Sequence, residues 1–294
     1  MKFYSDYFLA LRPHQWLKNF LIFIPLLAAH QVNFQNIFLS ILMFISFSFV
    51  ASSVYIFNDI IDINADKTHP RKKLRPFASG KIEINQGKIF GLLVLAVGII
   101  FGFFFINKLF VQLICIYFVI SSLYSLFLKQ IIVVDICILA ILYTLRILVG
   151  GLVLNIDLSV WLLAFSLFFF FSLAAIKRQA ELVDLLKRKK FKSANRGYKT
   201  KDLPILSTCG LAAGYISVLI MAFYVNSPEV AQLYSQPLSL WGICFVLLFW
   251  ITKISIVTQR GLMHDDPIVY AVRDFLSHAC LFIIILFLIM GIIL

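Results

Sequence analysis

The sequence predicts an all-α fold, a polytopic membrane protein built as a bundle of nine transmembrane helices, and three observations carry that prediction. Uninterrupted apolar runs of about 17 to 22 residues recur along the chain, each able at about 1.5 Å per residue to cross a hydrocarbon core about 30 Å thick. The runs are apolar all round, whereas helices of a soluble domain keep a polar face for water. The connections between them alternate in character, one set crowded with bases and the other nearly free of them. With 62% apolar and 14% charged residues, a soluble domain is excluded. A transmembrane barrel is excluded too, because stretches such as residues 163–171 (LAFSLFFFF) do not alternate.

Polar clusters set the boundaries of the spans, which fall at residues 19–30, 36–57, 88–106, 109–127, 131–150, 159–176, 203–225, 238–257 and 276–294. The first is the shortest. It follows Arg12, Trp16 and Lys18 and ends without a small-residue cleavage pattern, so it reads as a retained helix rather than a signal peptide. Cys115, Cys137, Cys209, Cys244 and Cys280 stand singly within apolar runs, in no spacing suited to zinc or a disulfide framework. They are expected to act as small membrane-buried hydrophobes. No appended soluble domain or fixed-period repeat is visible, so residues 1–294 are expected to form a single membrane domain.

Placing the N-terminus inside puts 24 of the 26 Lys and Arg residues in inner segments or, for Lys88 and Lys253, near the inner ends of spans. Lys108 alone lies outside, and Arg146 sits within a span. The positive-inside rule therefore predicts a multi-pass protein of the cell's inner (plasma) membrane, with the N-terminus and the long polar loops cytoplasmic and the C-terminus outside. The net charge of +12 then reflects topology and attraction to anionic lipid, including that of the KRKKFK cluster at residues 187–192. No nucleic-acid partner is expected.

The most informative stretch is residues 58–80, NDIIDINADKTHPRKKLRPFASG. If the second span continues as a helix beyond the membrane surface, Asp59, Asp62 and Asp66 stand within about 60° of one another around its axis, until Pro70 stops it. Three neighbouring carboxylates repel, and oxygen ligands of this kind suit Mg²⁺, which binds through few carboxylates plus substrate phosphates. A diphosphate substrate follows. Arg71, Lys72, Lys73 and Arg75 could hold its remaining oxygens, the arginines by bidentate hydrogen bonds. The alternative is a solvated loop with local ion pairs. Substitution of an aspartate here is expected to spare the fold by relieving repulsion, and Asp66, beside Lys67, is expected to matter least.

Three further clusters carry charge. Lys177, Glu181, Asp184 and Arg188 share a helical face after the sixth span, with Arg178 beside them. This face reads either as phosphate-binding bases with a second metal ligand or as an intrahelical ion-pair ladder. In residues 260–274 (RGLMHDDPIVYAVRD), Asp266 before Pro267 is an N-cap, which leaves Arg260, His264, Asp265, Arg273 and Asp274 crowded in one loop. In residues 12–19 (RPHQWLKN), Trp16 reads as an interfacial anchor, Arg12 and Lys18 as inner-surface bases, and a phosphate-binding role is open. Within the fifth span, Asp135 and Arg146 lie on one face about 16 Å apart. Each is a site candidate or half of an interhelical pair.

Asn58-Asp59-x-x-Asp62-x-x-x-Asp66, followed by Arg71 and Arg75-Pro76, resembles the first aspartate-rich motif of the UbiA-type intramembrane prenyltransferases. RPHQWLKN, KRQAEL and RGLMHDDPIVYAVRD resemble segments of one branch, the polyprenyl-phosphate (decaprenyl-phosphate) phosphoribosyltransferases, and the likeness spans essentially the whole chain. Quinone and haem prenyltransferases carry a second aspartate-rich motif where this chain reads Lys177-Arg178-x-x-Glu181.

The resemblance implies a nine-helix bundle around a cytoplasm-facing cavity, Mg²⁺ dependence, and transfer of 5-phosphoribose from phosphoribosyl diphosphate to a polyprenyl phosphate. In mycobacteria-like organisms that product feeds cell-wall arabinan. Asp59, Asp62 and Asp66 would hold the metal, joined as catalytic candidates by Glu181. The substrate-binding candidates are Lys18, Asn19, Asn58, Arg71, Arg75, Arg146, Lys177, Arg178, Arg260 and Asp265. A prenyl transfer to an aromatic acceptor is the first rival reading. A transporter is the second, though no Gly- or Pro-interrupted pair of spans occupies matching positions.

Overall fold

The computed structural model describes residues 2–68, 70–191, 196–263 and 266–293, and among these it contains helices and no strand. In chain order the α-helices, with the one long 3₁₀ stretch, are α1 (Lys2–Ala10), the 3₁₀ stretch (Pro13–Phe23), α2 (Ile24–Ala28), α3 (Phe34–Ile61), α4 (Ile63–Lys67), α5 (Ile84–Phe105), α6 (Lys108–Leu126) and α7 (Val134–Leu154). They are followed by α8 (Val160–Lys187), α9 (Leu203–Val225), α10 (Pro228–Leu233), α11 (Trp241–Gln259), α12 (Pro267–Ala271) and α13 (Phe275–Ile293). Among the described residues eight helices are long and apolar enough to cross a membrane.

The first predicted span takes a different form. Pro13 opens a 3₁₀ stretch of 11 residues and Pro25 sits in the first turn of the five-residue α2. Because 3₁₀ rises about 2.0 Å per residue against about 1.5 Å for α, the two pieces together reach about 30 Å, so the nine-helix count is close to what is observed.

The chain divides into two compact units, Met1–Ile138 with Leu145–Asp157, and Leu139–Thr144 with Leu158–Leu294. In the first, α3 and α5 pack through small residues that let the backbones approach. Ser46 Oγ donates to the Gly98 carbonyl at 2.7 Å, and Ser53 Oγ to that of Gly91 at 2.9 Å. A Cβ on Gly98 would stand 2.8 Å from Val50 Cγ2 and 3.1 Å from the Ser46 carbonyl oxygen. Lipid supplies no hydrophobic drive between helices, so close packing and interhelical hydrogen bonds supply the association instead. The N-terminal α1 leads into this unit, with Ala10 buried among Ile56, Phe77, Ile82 and Val94.

In the second unit α8 and α9 pack in the same manner, with Ser172 Oγ donating to the Gly210 carbonyl at 2.6 Å. Ile176 and Ala180 of α8 form a core with Ile254 and Met263. Val225, Val230, Tyr234, Leu240, Ile243, Cys244 and Leu247 form another. Large side chains such as Phe103, Phe104, Phe245 and Phe282 point outward, as helices greasy all round require in a lipid solvent. The five cysteines are free thiols, and Cys209 is exposed rather than buried.

Candidate active site

The aspartate-rich stretch begins where α3 ends. Rather than one continuous helix, α3 stops at Ile61, Asp62 turns with φ −88° and ψ 8°, and α4 carries the chain on to Lys67, short of Pro70. Hydrogen bonds from Asp62 N to Asn58 O and from Asp66 N to Asp62 O, both 2.9 Å, bridge the break. The break parts the three carboxylates. Arg75 Nη1 lies 2.6 Å from Asp66 Oδ2 and 3.1 Å from Asp59 Oδ1, so these two aspartates share one guanidinium. Asp62 is served separately, by Lys129 Nζ at 2.6 Å. Among the described residues no group of three or more His, Cys, Asp or Glu side chains stands ready to enclose one ion.

Two cations in this cluster escape a reading of the sequence. Arg12 donates to Asp59 Oδ1 from a left-handed backbone (φ 52°, ψ 59°). That conformation is strained for a residue other than glycine and persists only where its surroundings over-determine it. Lys129, one of the bases of the inner segments, is buried, and its ammonium also lies 3.5 Å from Asn58 Oδ1. Helical spacing relates residues within one helix, whereas Arg12 and Lys129 arrive 47 and 67 positions away in sequence. Asp59 and Asp66 are both buried. Asp59 Oδ2 is buried without a hydrogen-bond partner. Arg71 is exposed at the start of the loop that brings in Arg75.

A second polar cluster of this unit surrounds Arg146. Its Nε donates to Asn19 Oδ1 and its Nη2 to the Tyr117 hydroxyl, each over 3.0 Å, while the guanidinium lies 5.2 Å from the Phe47 ring centroid. Asn19 in turn donates to Ser48 Oγ at 2.9 Å. Lys18 and Asn19 are buried on the 3₁₀ stretch. Trp16, read as an interfacial anchor, donates to Ser52 Oγ on α3 at 2.9 Å. Asp135 is fully buried in the first turn of α7.

In the second unit, Lys177, Arg178 and Glu181 lie on α8, but the expected single ladder divides. Arg178, almost wholly buried, pairs with Glu181, which also meets Arg196 Nε at 3.2 Å. Arg188 pairs with Asp184 at 2.7 Å. Lys177 leaves the helix face to donate to Asp266 Oδ2 at 2.9 Å. Asp266 is an N-cap as expected, accepting from Ile268 N at 3.1 Å. Arg260 is exposed at the end of α11, where its carbonyl accepts from Lys187 Nζ at 3.2 Å. His264, Asp265 and Lys192 lie outside the described residues.

These features define a polytopic α-helical membrane protein with acidic and basic clusters gathered toward the ends of its long helices. The chain belongs to the UbiA prenyltransferase family, whose model matches residues 19–268. It is 34% identical over 278 residues to the nodulation protein NoeC of Azorhizobium caulinodans, covering 95% of this chain and 90% of that one. It is 34% identical over 272 residues to the uncharacterized protein y4nM of Sinorhizobium fredii, covering 92% of this chain and 52% of that protein. Decaprenyl-phosphate phosphoribosyltransferase of Corynebacterium glutamicum is 34% identical over 180 residues, 59% of this chain and 54% of the relative. The chain thus spans about half the length of two of these three relatives. Among solved structures, a UbiA homolog from Archaeoglobus fulgidus bound to GPP and Mg²⁺ superposes with a TM-score of 0.70 at 16% identity, over 97% of this chain and 98% of that one.

Proposed function

We propose that this protein is a membrane-embedded, Mg²⁺-dependent transferase that moves 5-phosphoribose from phosphoribosyl diphosphate to a polyprenyl phosphate. In that reaction an oxygen of the lipid phosphate bonds to the anomeric carbon as the bond to diphosphate breaks. The lipid phosphate is already an anion at neutral pH, so no strong general base is required. The observation that carries the reading is the basic pair Lys177 and Arg178 on α8, where quinone and haem prenyltransferases have aspartates. It is supported by relatives named as decaprenyl-phosphate phosphoribosyltransferases.

The donor set fits a hard divalent cation, since Asp59, Asp62 and Asp66 offer only oxygen ligands and Asp59 Oδ2 is buried without a hydrogen-bond partner. Asp59, Asp62 and Asp66 would hold the ion once Arg12, Arg75 and Lys129 release them, since among the described residues the three do not stand grouped about one point; a structure of a UbiA homolog carries Mg²⁺. When bound, Mg²⁺ neutralises charge developing on a leaving diphosphate. The chain's own cations do the rest. Arg12 and Arg75 balance the aspartates in the free protein and are placed to exchange those carboxylates for phosphate oxygens. Asn58, Arg71, Lys177, Arg178, Arg260 and Asp265 complete the proposed substrate contacts. Lys18, Asn19 and Arg146 form a buried polar group for the same purpose, and Glu181 orients Arg178.

We infer further that residues 1–294 act as one membrane domain of the cell's inner membrane, its N-terminus and polar loops cytoplasmic and its C-terminus outside. The uneven distribution of bases supports this. The test is an assay of purified protein with phosphoribosyl diphosphate and a short polyprenyl phosphate, with and without Mg²⁺. Diphosphate release that needs all three is expected. Turnover of a prenyl diphosphate with 4-hydroxybenzoate instead would make the protein an aromatic prenyltransferase.

A further inference from the structure

The segment joining α11 to α13 holds a polar cluster that the proposed phosphate chemistry leaves unused. Asp274, just before α13, is its hub. Asp274 Oδ2 accepts from Ser277 N at 2.7 Å, from Ser277 Oγ at 2.8 Å and from the Lys253 ammonium of α11. Its Oδ1 accepts from the Tyr270 hydroxyl at 3.0 Å. A second α11 side chain ends on the same cluster, Trp250 donating through Nε1 to Ser277 Oγ at 2.9 Å. Lys253 Nζ also lies 5.8 Å from the Tyr270 ring centroid. A lysine within a spanning helix is costly unless its charge is matched, so Lys253 and Asp274 are mutually required.

Tyr270 belongs to α12, which has five residues. A helix this short does not hold itself together, and its conformation has to come from tertiary contacts. At its other end α12 begins at Asp266, the carboxylate that receives Lys177 at 2.9 Å and faces the Tyr143 hydroxyl at 3.5 Å. The two ends of α12 therefore tie different things together. One is fastened to the Asp274 hub, and the other holds a lysine assigned to substrate phosphate.

We propose that Asp274 and Lys253 are positioning residues which, through Tyr270, fix α12 so that Asp266 orients the Lys177 ammonium. This rests on the reading that Lys177 binds substrate phosphate. Neither residue touches the reacting atoms. Their effect passes through one hydroxyl and one short helix.

Tyr270→Phe is the sharpest probe, because it keeps the ring beside Lys253 and removes only the hydroxyl that links α12 to Asp274. With the full chain in lipid nanodiscs, the amides of residues 268–271 should exchange faster with deuterium, and the Lys177 amine should be acylated faster. KM for phosphoribosyl diphosphate should rise by about tenfold with a smaller change in kcat. Asp274→Asn should do the same more strongly, and Lys253→Arg should restore wild-type behaviour where Lys253→Met does not. Unchanged Lys177 acylation and unchanged exchange in Tyr270→Phe would overturn the proposal, as would a KM unmoved despite faster exchange. If wild-type protein does not turn over phosphoribosyl diphosphate, the proposed function fails, while the exchange and acylation measurements still decide whether the hub positions Lys177.

Discussion

Arg146 Nε donates to Asn19 Oδ1 over 3.0 Å, joining residues 127 positions apart through a buried hydrogen bond. The same guanidinium serves the Tyr117 hydroxyl at 3.0 Å. A planar fork meets two acceptors in fixed directions, and an ammonium on a flexible stem does not.

Arg146→Lys is therefore expected to behave as a loss rather than a conservative change. Leaving buried polar partners unmatched costs about 1 to 3 kcal/mol in water-soluble proteins, but interhelical hydrogen bonds in membranes average about 0.6 kcal/mol. A cost near the lower figure, seen as a fall in melting temperature, is expected. A double-mutant cycle of Arg146→Met with Asn19→Ala should show coupling; strictly additive losses would mean the bond contributes nothing.

Replacing Asp59 or Asp62 by Asn should slow the reaction by about 10² to 10³, on the order of 2.7 to 4 kcal/mol, and raise the Mg²⁺ concentration needed. The structure alters two expectations drawn from helical spacing. Asp59 is a buried partner of both Arg12 and Arg75, so Asp59→Asn should lower thermal stability instead of sparing it. Asp66 is buried on the same guanidinium, so Asp66→Asn should resemble Asp59→Asn. Melting curves and Mg²⁺ titrations of the three variants test this, and near-normal activity in all three would exclude the metal-diphosphate chemistry.

The proposed orientation predicts which cysteine probes react from outside intact cells. In a background lacking the five native cysteines, labels at Asn33, Asp157 and Glu229 should react with an impermeant maleimide. Labels at Lys81 and Lys190 should not. All five positions are exposed, so silence reflects sidedness rather than burial, and a reversed pattern would rule the orientation out.

Acid should unfold the Asp274 cluster in a definable window. Burial by itself would raise the Asp274 pKa, but hydrogen bonds from Lys253, Ser277 and Tyr270 outweigh it and hold the carboxyl at about 2 against an ordinary 3.8. A depressed carboxyl contributes stability above its unfolded value and loses it as pH falls through its folded value. The difference in melting temperature between wild type and Asp274→Asn should thus be constant down to about pH 4 and shrink toward pH 2. A difference independent of pH would show that the carboxylate charge is not what the cluster uses.

Sequence alone determined the membrane class, the position of eight of the nine spans within a few residues apart from the far end of α8, which runs on from the expected 176 to Lys187, and the family, because apolar run length and local motif spacing are properties of contiguous residues. It also located the aspartates of residues 59–66 and the bases of α8. What it did not determine is which charge meets which. The shared guanidinium of Arg75, the arrival of Arg12 and Lys129 at the aspartates, and the departure of Lys177 from its own helix face to Asp266 all depend on packing between helices distant in sequence. The 3₁₀ form of the first span was hidden for a related reason, since hydropathy records how apolar a segment is and not its rise per residue. Only the tertiary structure decides these pairings, because a charged side chain in a low-dielectric surrounding must take the nearest opposite charge the fold provides, whatever its place in the chain.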